Sequence, residues 1–255
     1  MISLKQKFSN INKSLRRNKY ENKILKKEIK DKNRDIKEIF NFVLENNNYD
    51  KKGSKSQLKQ DVFVLIATNF KKNGFFVEFG ATNGVDLSNT YLLEKEFGWN
   101  GILAEPSDGW HTALFENRNC FIEPNCVWNS TGEKLEFDVT EFAELSTISQ
   151  FSDGDIHASS RKFSKKIIVD TISLGDLLKK YDAPKKIDYL SVDTEGSEFE
   201  ILSAFDFNEY QFNCITVEHN HTPQREKLYK LLTSNGYRRV LEHISRFDDW
   251  YVADR

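Results

Sequence analysis

Read from sequence alone, the chain is an α/β protein: a doubly wound, mostly parallel sheet ending in an antiparallel hairpin, behind an N-terminal helical arm. Three patterns predict this. Short apolar strands alternate with helical stretches, without the polar alternation of a half-exposed sheet, as expected where helices cover both faces. The last two strand-like runs, "YRRVLEHI" and "DWYVAD", have only "SRFD" between them. That gap is too short for a crossover helix, so the pair must be antiparallel. The third pattern is a seven-residue apolar repeat at the N-terminus.

That repeat defines the arm, residues 1–48. Steps of four and three from Leu4 give Phe8, Ile11, Leu15, Asn18, Asn22, Leu25, Ile29, Lys32, Ile36, Ile39 and Val43, nine of the twelve being apolar. This is a coiled-coil stripe, and Asn22 at an a position suits a two-stranded homo-oligomer. A single helix packed on its own body is the alternative. The arm carries 13 Lys+Arg against 6 Asp+Glu, a net of +7, while residues 49–255 carry 24 against 33, a net of −9. A basic arm on an acidic body allows peripheral association with anionic membrane, although the charge serves solubility equally well. No apolar run approaches the roughly 18 residues of a membrane span, and the N-terminus lacks a secretory h-region, so the expected location is cytoplasmic. Cys120, Cys126 and Cys214 have no metal spacing and read as reduced thiols.

The body, residues 49–255, follows the polar linker Asn46 to Ser56. Asp61 to Phe70 reads as a buried helix and Gly74 to Gly80 as a strand. Ser88 to Phe97 is a helix, "GILAEP" from Gly101 a strand, and a helix follows near Trp110. "NCVWN" from Asn125 is a short strand, "IIVDTI" another, and "KIDYLSVDTEG" from Lys186 a longer one that leads into the helix "SEFEILSAF". "CITVEHN" from Cys214 is a strand; the next helix is expected to start with Thr222 as N-cap and Pro223 at N1, and to stop at Gly236.

The stretch "VEFGATNGVDLSNT", Val77 to Thr90, is where chemistry enters. Gly80 and Gly84 are spaced G-x-x-x-G. A dinucleotide fingerprint would need glycine where Thr82 and Val85 stand, which disfavours a nicotinamide cofactor. A sulfonium cofactor brings no phosphate. It needs close backbone approach, an acid near its ammonium, for which Glu78 is placed, and a strand-end carboxylate for its ribose hydroxyls, for which Glu105 is placed 21 residues past Gly84. The competing reading is a structural turn with a surface Glu.

The segments "FFVEFGATNGVDLSNTYLLE", "GILAEP", "DTISLGDLL", "IDYLSVDTEGSEFEIL", "ITVEHN" and "GYRRV…DDWYV" together resemble the FkbM-type S-adenosylmethionine-dependent methyltransferases, from about Ser56 to Asp254. The resemblance implies a Rossmann-like fold and S-adenosyl-L-methionine as cofactor, held by Glu78, Gly80, Ala81, Thr82, Asn83, Gly84, Glu105, Pro106, Cys126, Val127 and Asp193. It also implies O-methylation of a sugar, glycan or glycoconjugate, with no nucleic acid partner. Another acceptor (lipid, polyketide or protein) and a non-catalytic interaction protein carried by the arm are the rivals.

Acids end four strands: Glu78, Glu105, Asp193 and Glu218. Asp193 and Glu218 are expected to face the transferred methyl group, although helix capping would also place acids there. Two ways to activate an acceptor hydroxyl compete. In one, His219, or else His221, is the general base. In the other, Asp193, Glu218 and Asn220 hold Mg²⁺ or Mn²⁺, an arrangement similar to the catechol-type methyltransferases. Period-2 alternation puts Glu218 and Asn220 on one face and His219 and His221 on the other, unless the strand ends at Glu218. A zinc site of Cys214, His219 and His221 has poor spacing. Basic Ser160–Lys166 reads as a solvated loop, and Trp110, Trp128 and Trp250 as core before sugar platforms. Gln57, Gln60 and Asp61 either close over the cofactor or cap a helix.

Overall fold

The computed structural model describes residues 40, 41, 43–45, 53–154 and 157–254. In order, the elements are α1 (Gln60–Ala67), β1 (Phe75–Phe79), α2 (Tyr91–Phe97), β2 (Asn100–Ala104), α3 (Asp108–Asn117), β3 (Phe121–Glu123), β4 (Cys126–Trp128), β5 (Lys134–Val139), β6 (Thr147–Ile148), β7 (Lys165–Ser173), α4 (Leu174–Lys180), β8 (Lys186–Val192), α5 (Glu198–Ser203), β9 (Gln211–Glu218), α6 (Gln224–Ser234), β10 (Tyr237–Val240) and β11 (Asp248–Ala253).

The main sheet has seven strands in the order β10-β11-β9-β8-β1-β2-β3. β3, β2, β1, β8 and β9 run parallel. β11 is antiparallel to β9 and to β10, so the sheet closes in the hairpin that the short gap required. Both faces are covered. Phe76, Tyr189, Cys214 and Trp250 pack into one apolar layer, and Val77, Phe79, Leu190, Val192, Ile215, Val217 and Tyr251 into the other. Two-sided burial explains why these strands read as apolar runs.

A second, four-stranded sheet, β4-β7-β5-β6, was not assembled from the sequence. "NCVWN" belongs to it: β4 pairs parallel with β7, while β5 lies antiparallel to both β7 and β6. Its inner face is a separate core of Cys126, Trp128, Phe137, Ile148 and Val169. Its outer face carries the cross-strand ion pairs Lys134–Asp170 and Lys166–Glu136, both 2.7–2.8 Å and solvent-exposed.

Helix α6 starts at Gln224 with Pro223 as its N-cap residue, one step later than the expected Thr222 cap. The Thr222 hydroxyl instead donates to the His219 carbonyl at 2.9 Å. The helix ends at Ser234, and Gly236 takes the left-handed φ of 82° that a helix stop favours. No helix among the described residues is long and apolar enough to cross a membrane. All three cysteines are free; Cys214 is buried in the core, away from the histidine-bearing strand end, so the zinc reading has no geometry.

Most of the coiled-coil stripe lies outside the described residues. Its last a position does not: Val43 is buried, and so is Phe40 one helical turn earlier. Phe40 meets Trp250 edge-on at 5.7 Å, and Trp250 stacks on Phe63 at 5.0 Å. This short helical piece therefore packs into the body's core. Truncating a fully buried Phe costs about 3–5 kcal/mol. Phe40→Ala should lower the unfolding free energy by that amount in denaturant titration, whereas a piece that belonged only to the arm would leave it unchanged.

Candidate active site

The parallel strands present their carboxyl ends along one edge. At β1 the chain order reverses, with β2 on one side and β8 on the other. Ligands of doubly wound sheets bind at such a switch point. A cavity of about 370 Å³ opens there.

Glu78 faces this cavity but spends its oxygens on the loop after the turn. It accepts from the Ser88 hydroxyl at 3.0 Å, the Asn89 amide at 2.6 Å and the Thr90 hydroxyl. Behind the same loop lies Arg118, which is buried. Its guanidinium donates to the Gly84 carbonyl at 2.9 Å, to the hydroxyls of Ser88 and Thr90 at 3.1 and 2.8 Å, and to Glu94 at 2.7 Å. Gly80 has φ 71°, and a Cβ there would stand 2.2 Å from the Asp193 carbonyl oxygen. The ends of β1 and β8 thus approach too closely for any side chain, and the glycine is required by the sheet itself.

Glu105 follows β2. Its carboxylate accepts from the backbone amides of Thr82 at 2.8 Å and Ser107 at 2.9 Å. Burial raises its pKa against those two hydrogen bonds. A carboxylate has about four lone-pair sites, so room remains for further donors. Pro106, Cys126, Val127, Thr82, Gly80 and Asp193 also line the cavity. Ala81, Asn83 and Gly84 do not: Ala81 is core, Asn83 caps the turn through the amides of Val85 and Asp86, and Gly84 packs on Arg118 and Leu114. These three shape the turn from behind.

At the other end of the cavity, carboxylates converge. One oxygen each from Asp193, Glu195 and Glu218 lie within 4.8 Å of one another. Burial, then mutual repulsion, pushes Asp193 and Glu218 well above the ordinary carboxylate range. Glu195 was not singled out from sequence, although "SVDTEGSE" holds it two residues past Asp193. Asn220 lines the cavity beside the cluster, and its amide donates to Glu195 at 3.3 Å.

His219 faces away. Its Nδ1 accepts from the His221 amide at 3.0 Å, and its Nε2 lies 3.8 Å from Asp249. Burial lowers its pKa to about 4, which keeps it neutral. It does not line this cavity; with Glu218 and Asn220 it lines a smaller one beside it. The strand ends at Glu218, and Asn220 and His221 take left-handed φ values of 41° and 57°, which breaks the alternation and turns both toward the cavity. Thr82 and Glu195, at φ 45° and 57°, also line it. Left-handed non-glycine residues concentrate at functional sites.

The second sheet roofs the cavity with Phe137, Glu144, Leu145, Ser146, Ile148 and His157. Arg161 fastens that roof. It is buried, donates to the Leu145 carbonyl at 2.8 Å and pairs with Glu195 at 2.7 Å. The "SRKFSKK" cluster is therefore split, with Arg161 inside and Lys165 and Lys166 outside. Trp128 and Trp250 are core.

Gln57 and Gln60 line the cavity mouth, and Gln60 donates to Asp248 at 2.8 Å. Asp61 holds the segment carrying them through the hydroxyls of Ser54 and Ser56 at 3.0 and 2.6 Å. Ser56 in turn bridges to Leu87 across the mouth.

The family profile described as the methyltransferase FkbM domain matches residues 78–239, which takes in the turn, the acid cluster and the roof. No curated protein matches the sequence. Among solved structures, the chain is similar to a precorrin-6y C5,15-methyltransferase from Geobacter metallireducens (10% identity, covering 75% of this chain and 85% of that one, TM-score 0.41). It is also similar to the METTL16 methyltransferase domain (11%, 76% and 66%, TM-score 0.39). A third is a SAM-dependent methyltransferase from Aquifex aeolicus (12%, 80% and 95%, TM-score 0.37). At TM-scores under 0.5 these likenesses carry no argument, and the assignment rests on the family match.

Burial pushes Asp61 up to about 6 against its hydrogen bonds. A raised acid stabilises the fold fully below its ordinary value near 4 and loses that contribution as pH rises through about 6. The shift corresponds to on the order of 3 kcal/mol. Asp61→Asn cannot ionise, so its unfolding free energy should gain on the parent by that amount between pH 4 and pH 7.5. A constant difference across this range would show that Asp61 does not titrate there.

Proposed function

We propose, from the premise that the chain belongs to the FkbM methyltransferase domain family, that it methylates a hydroxyl of a sugar, glycan or glycoconjugate using S-adenosyl-L-methionine. The observation that carries this reading is one continuous cavity with a glycine turn and a strand-end acid at one end and buried carboxylates at the other.

The residues present fit the cofactor. Gly80 brings backbone close, Glu105 keeps lone pairs for ribose hydroxyls, and Cys126 and Val127 give an apolar wall for adenine. Bound there, S-adenosylmethionine supplies a methyl group already activated on a sulfonium. The protein's part is alignment and removal of the acceptor's hydroxyl proton. Asp193 and Glu218 stand at the cavity floor for that proton. Their raised pKa values make either one a stronger base than an exposed carboxylate once it is ionised.

The acceptor end combines Glu144, Ser146, Asn220 and His221 with Phe137 and Phe247. Hydrogen-bonding groups beside aromatic faces suit a polyhydroxyl ring, and the excess of carboxylates repels an anionic acceptor. A divalent cation held by the floor acids is the alternative to a carboxylate base: with it bound, Asp193 and Glu218 would serve as ligands.

Two measurements test it. Calorimetry should show S-adenosylmethionine binding, and Glu105→Ala should weaken it by about 1.5–3 kcal/mol, the range for hydrogen bonds to a charged group. No binding by the parent protein sinks the proposal. With an acceptor identified from a panel of sugars and glycoconjugates, Glu218→Gln should lower kcat by about 10²–10⁴-fold, the contribution of a positioned acid or base. An unchanged kcat removes Glu218 from the chemistry.

A further inference from the structure

We propose that Asp193, Glu195 and Glu218 bind a divalent cation of the Mg²⁺ or Mn²⁺ class, with Glu195 added to the acids expected from sequence. Its role in activating a hydroxyl rests on the methyltransferase reading; the binding itself does not.

The first ground is geometric. Oxygens bound to one such ion at about 2.1–2.5 Å are separated by no more than about 5 Å. The three carboxylate oxygens lie within 4.8 Å of one another. All the donors are hard oxygens, which suits Mg²⁺, Mn²⁺ or Ca²⁺ and not zinc.

The second ground is an unpartnered atom. Glu218 is only 7% exposed, and its Oε2 has no hydrogen-bond partner. A buried carboxylate oxygen left without a donor is costly. Neighbouring acids are not in this position. Glu198 accepts from the Thr194 amide and hydroxyl and from the Gly196 amide, all at 2.9–3.1 Å. Asp248 accepts from Gln60 at 2.8 Å and Trp250 at 3.4 Å. Among the described residues Asp61 and Glu200 also carry a buried carboxylate oxygen without a partner, but at Glu218 that oxygen belongs to a group of three converging acids.

The third ground is charge. Arg161 pairs with Glu195 at 2.7 Å, whereas among the described residues no ion pair reaches Asp193 or Glu218. A divalent ion would offset the charge of those two carboxylates. The competing arrangement is two shared protons, which would leave the cluster blind to metal. Three protein oxygens leave coordination positions open toward the cavity, where acceptor hydroxyls enter.

The experiment uses the full chain, stripped with EDTA and desalted. Free Mn²⁺ is followed by electron paramagnetic resonance at pH 7.5. We expect one bound Mn²⁺ per chain, displaced by Mg²⁺, with affinity at least tenfold weaker in Glu218→Gln. Glu136→Gln, an exposed carboxylate on the second sheet, should bind as the parent does. Mn²⁺ should also raise the melting temperature of the parent and not of Glu218→Gln. If that variant fails to fold by circular dichroism, Asp193→Asn takes its place. A parent that binds no Mn²⁺ at millimolar metal, or a folded variant that binds equally well, overturns the cation site and favours shared protons. Calorimetry of S-adenosylmethionine in EDTA separates the two claims: retained cofactor binding keeps the methyltransferase reading while the cation site falls.

Discussion

One buried guanidinium holds the cofactor end of the cavity in shape. Arg118 reaches across from the end of α3 and touches the turn after β1 at Gly84, Ser88 and Thr90, and anchors itself on Glu94. It also lies over the faces of Phe76 and Tyr91, at 5.5 and 5.9 Å. A planar fork of donors is what makes this possible, since an ammonium could not serve a carbonyl, two hydroxyls and a carboxylate at once. The turn has no helix or strand of its own between Gly80 and Thr90. Its carbonyls and hydroxyls would be unsatisfied without that fork, and breaking a buried pair of this kind costs about 3–5 kcal/mol. Glu78 closes the same network from the strand side, which explains why an acid at that strand position is buried and bonded within the protein.

The acceptor end rests on the opposite arrangement. There, acids outnumber their partners, and the single buried Arg161 serves both the cluster and the roof. Thr147 adds to the same joint by donating to the Glu195 carbonyl at 2.8 Å. The roof and the floor therefore share one segment, Thr194 to Gly196, which is also the entry to α5. A change in the charge of the cluster is felt directly by the loop that covers it, because Glu195 belongs to both.

Much of this was legible in the sequence, and the failures have physical causes. Parallel strands buried on both faces advertise themselves as apolar runs, and a gap too short for a helix forces a hairpin. The glycine turn was legible because Gly80 tolerates no Cβ. The second sheet was not assembled, because its strands β5 and β7 mix exposed charges with inward apolar residues and β6 is only two residues long. Alternation put His219 on the face opposite Glu218, away from the cavity, and it fails only past the strand end, where Asn220 and His221 leave extended geometry and His221 turns to the cavity. Glu195 escaped notice because, at a left-handed φ just after the strand end, it had no regular period to mark it. The same local conformation brings it to the cluster.

The division between the two sheets explains why the reaction class can be read from the chain and the acceptor cannot. Most of what receives the cofactor hangs from the seven-stranded sheet, whose strand ends are aligned by parallel register and whose turn is dictated by close backbone approach; the wall of Cys126 and Val127 is the exception, on β4 of the second sheet. The walls of the proposed acceptor end come largely from β5, β6 and the loop that follows, which pack on their own small core and reach the main sheet through β4, Thr147 and Arg161. Side chains such as Glu144, Leu145, Ser146 and His157 line the cavity from the loops around the second sheet. They can change without disturbing the turn, the sheet or Arg118, provided Arg161 keeps its hold on Glu195. On the proposed reading, selectivity for one acceptor over another would be set largely by the roof.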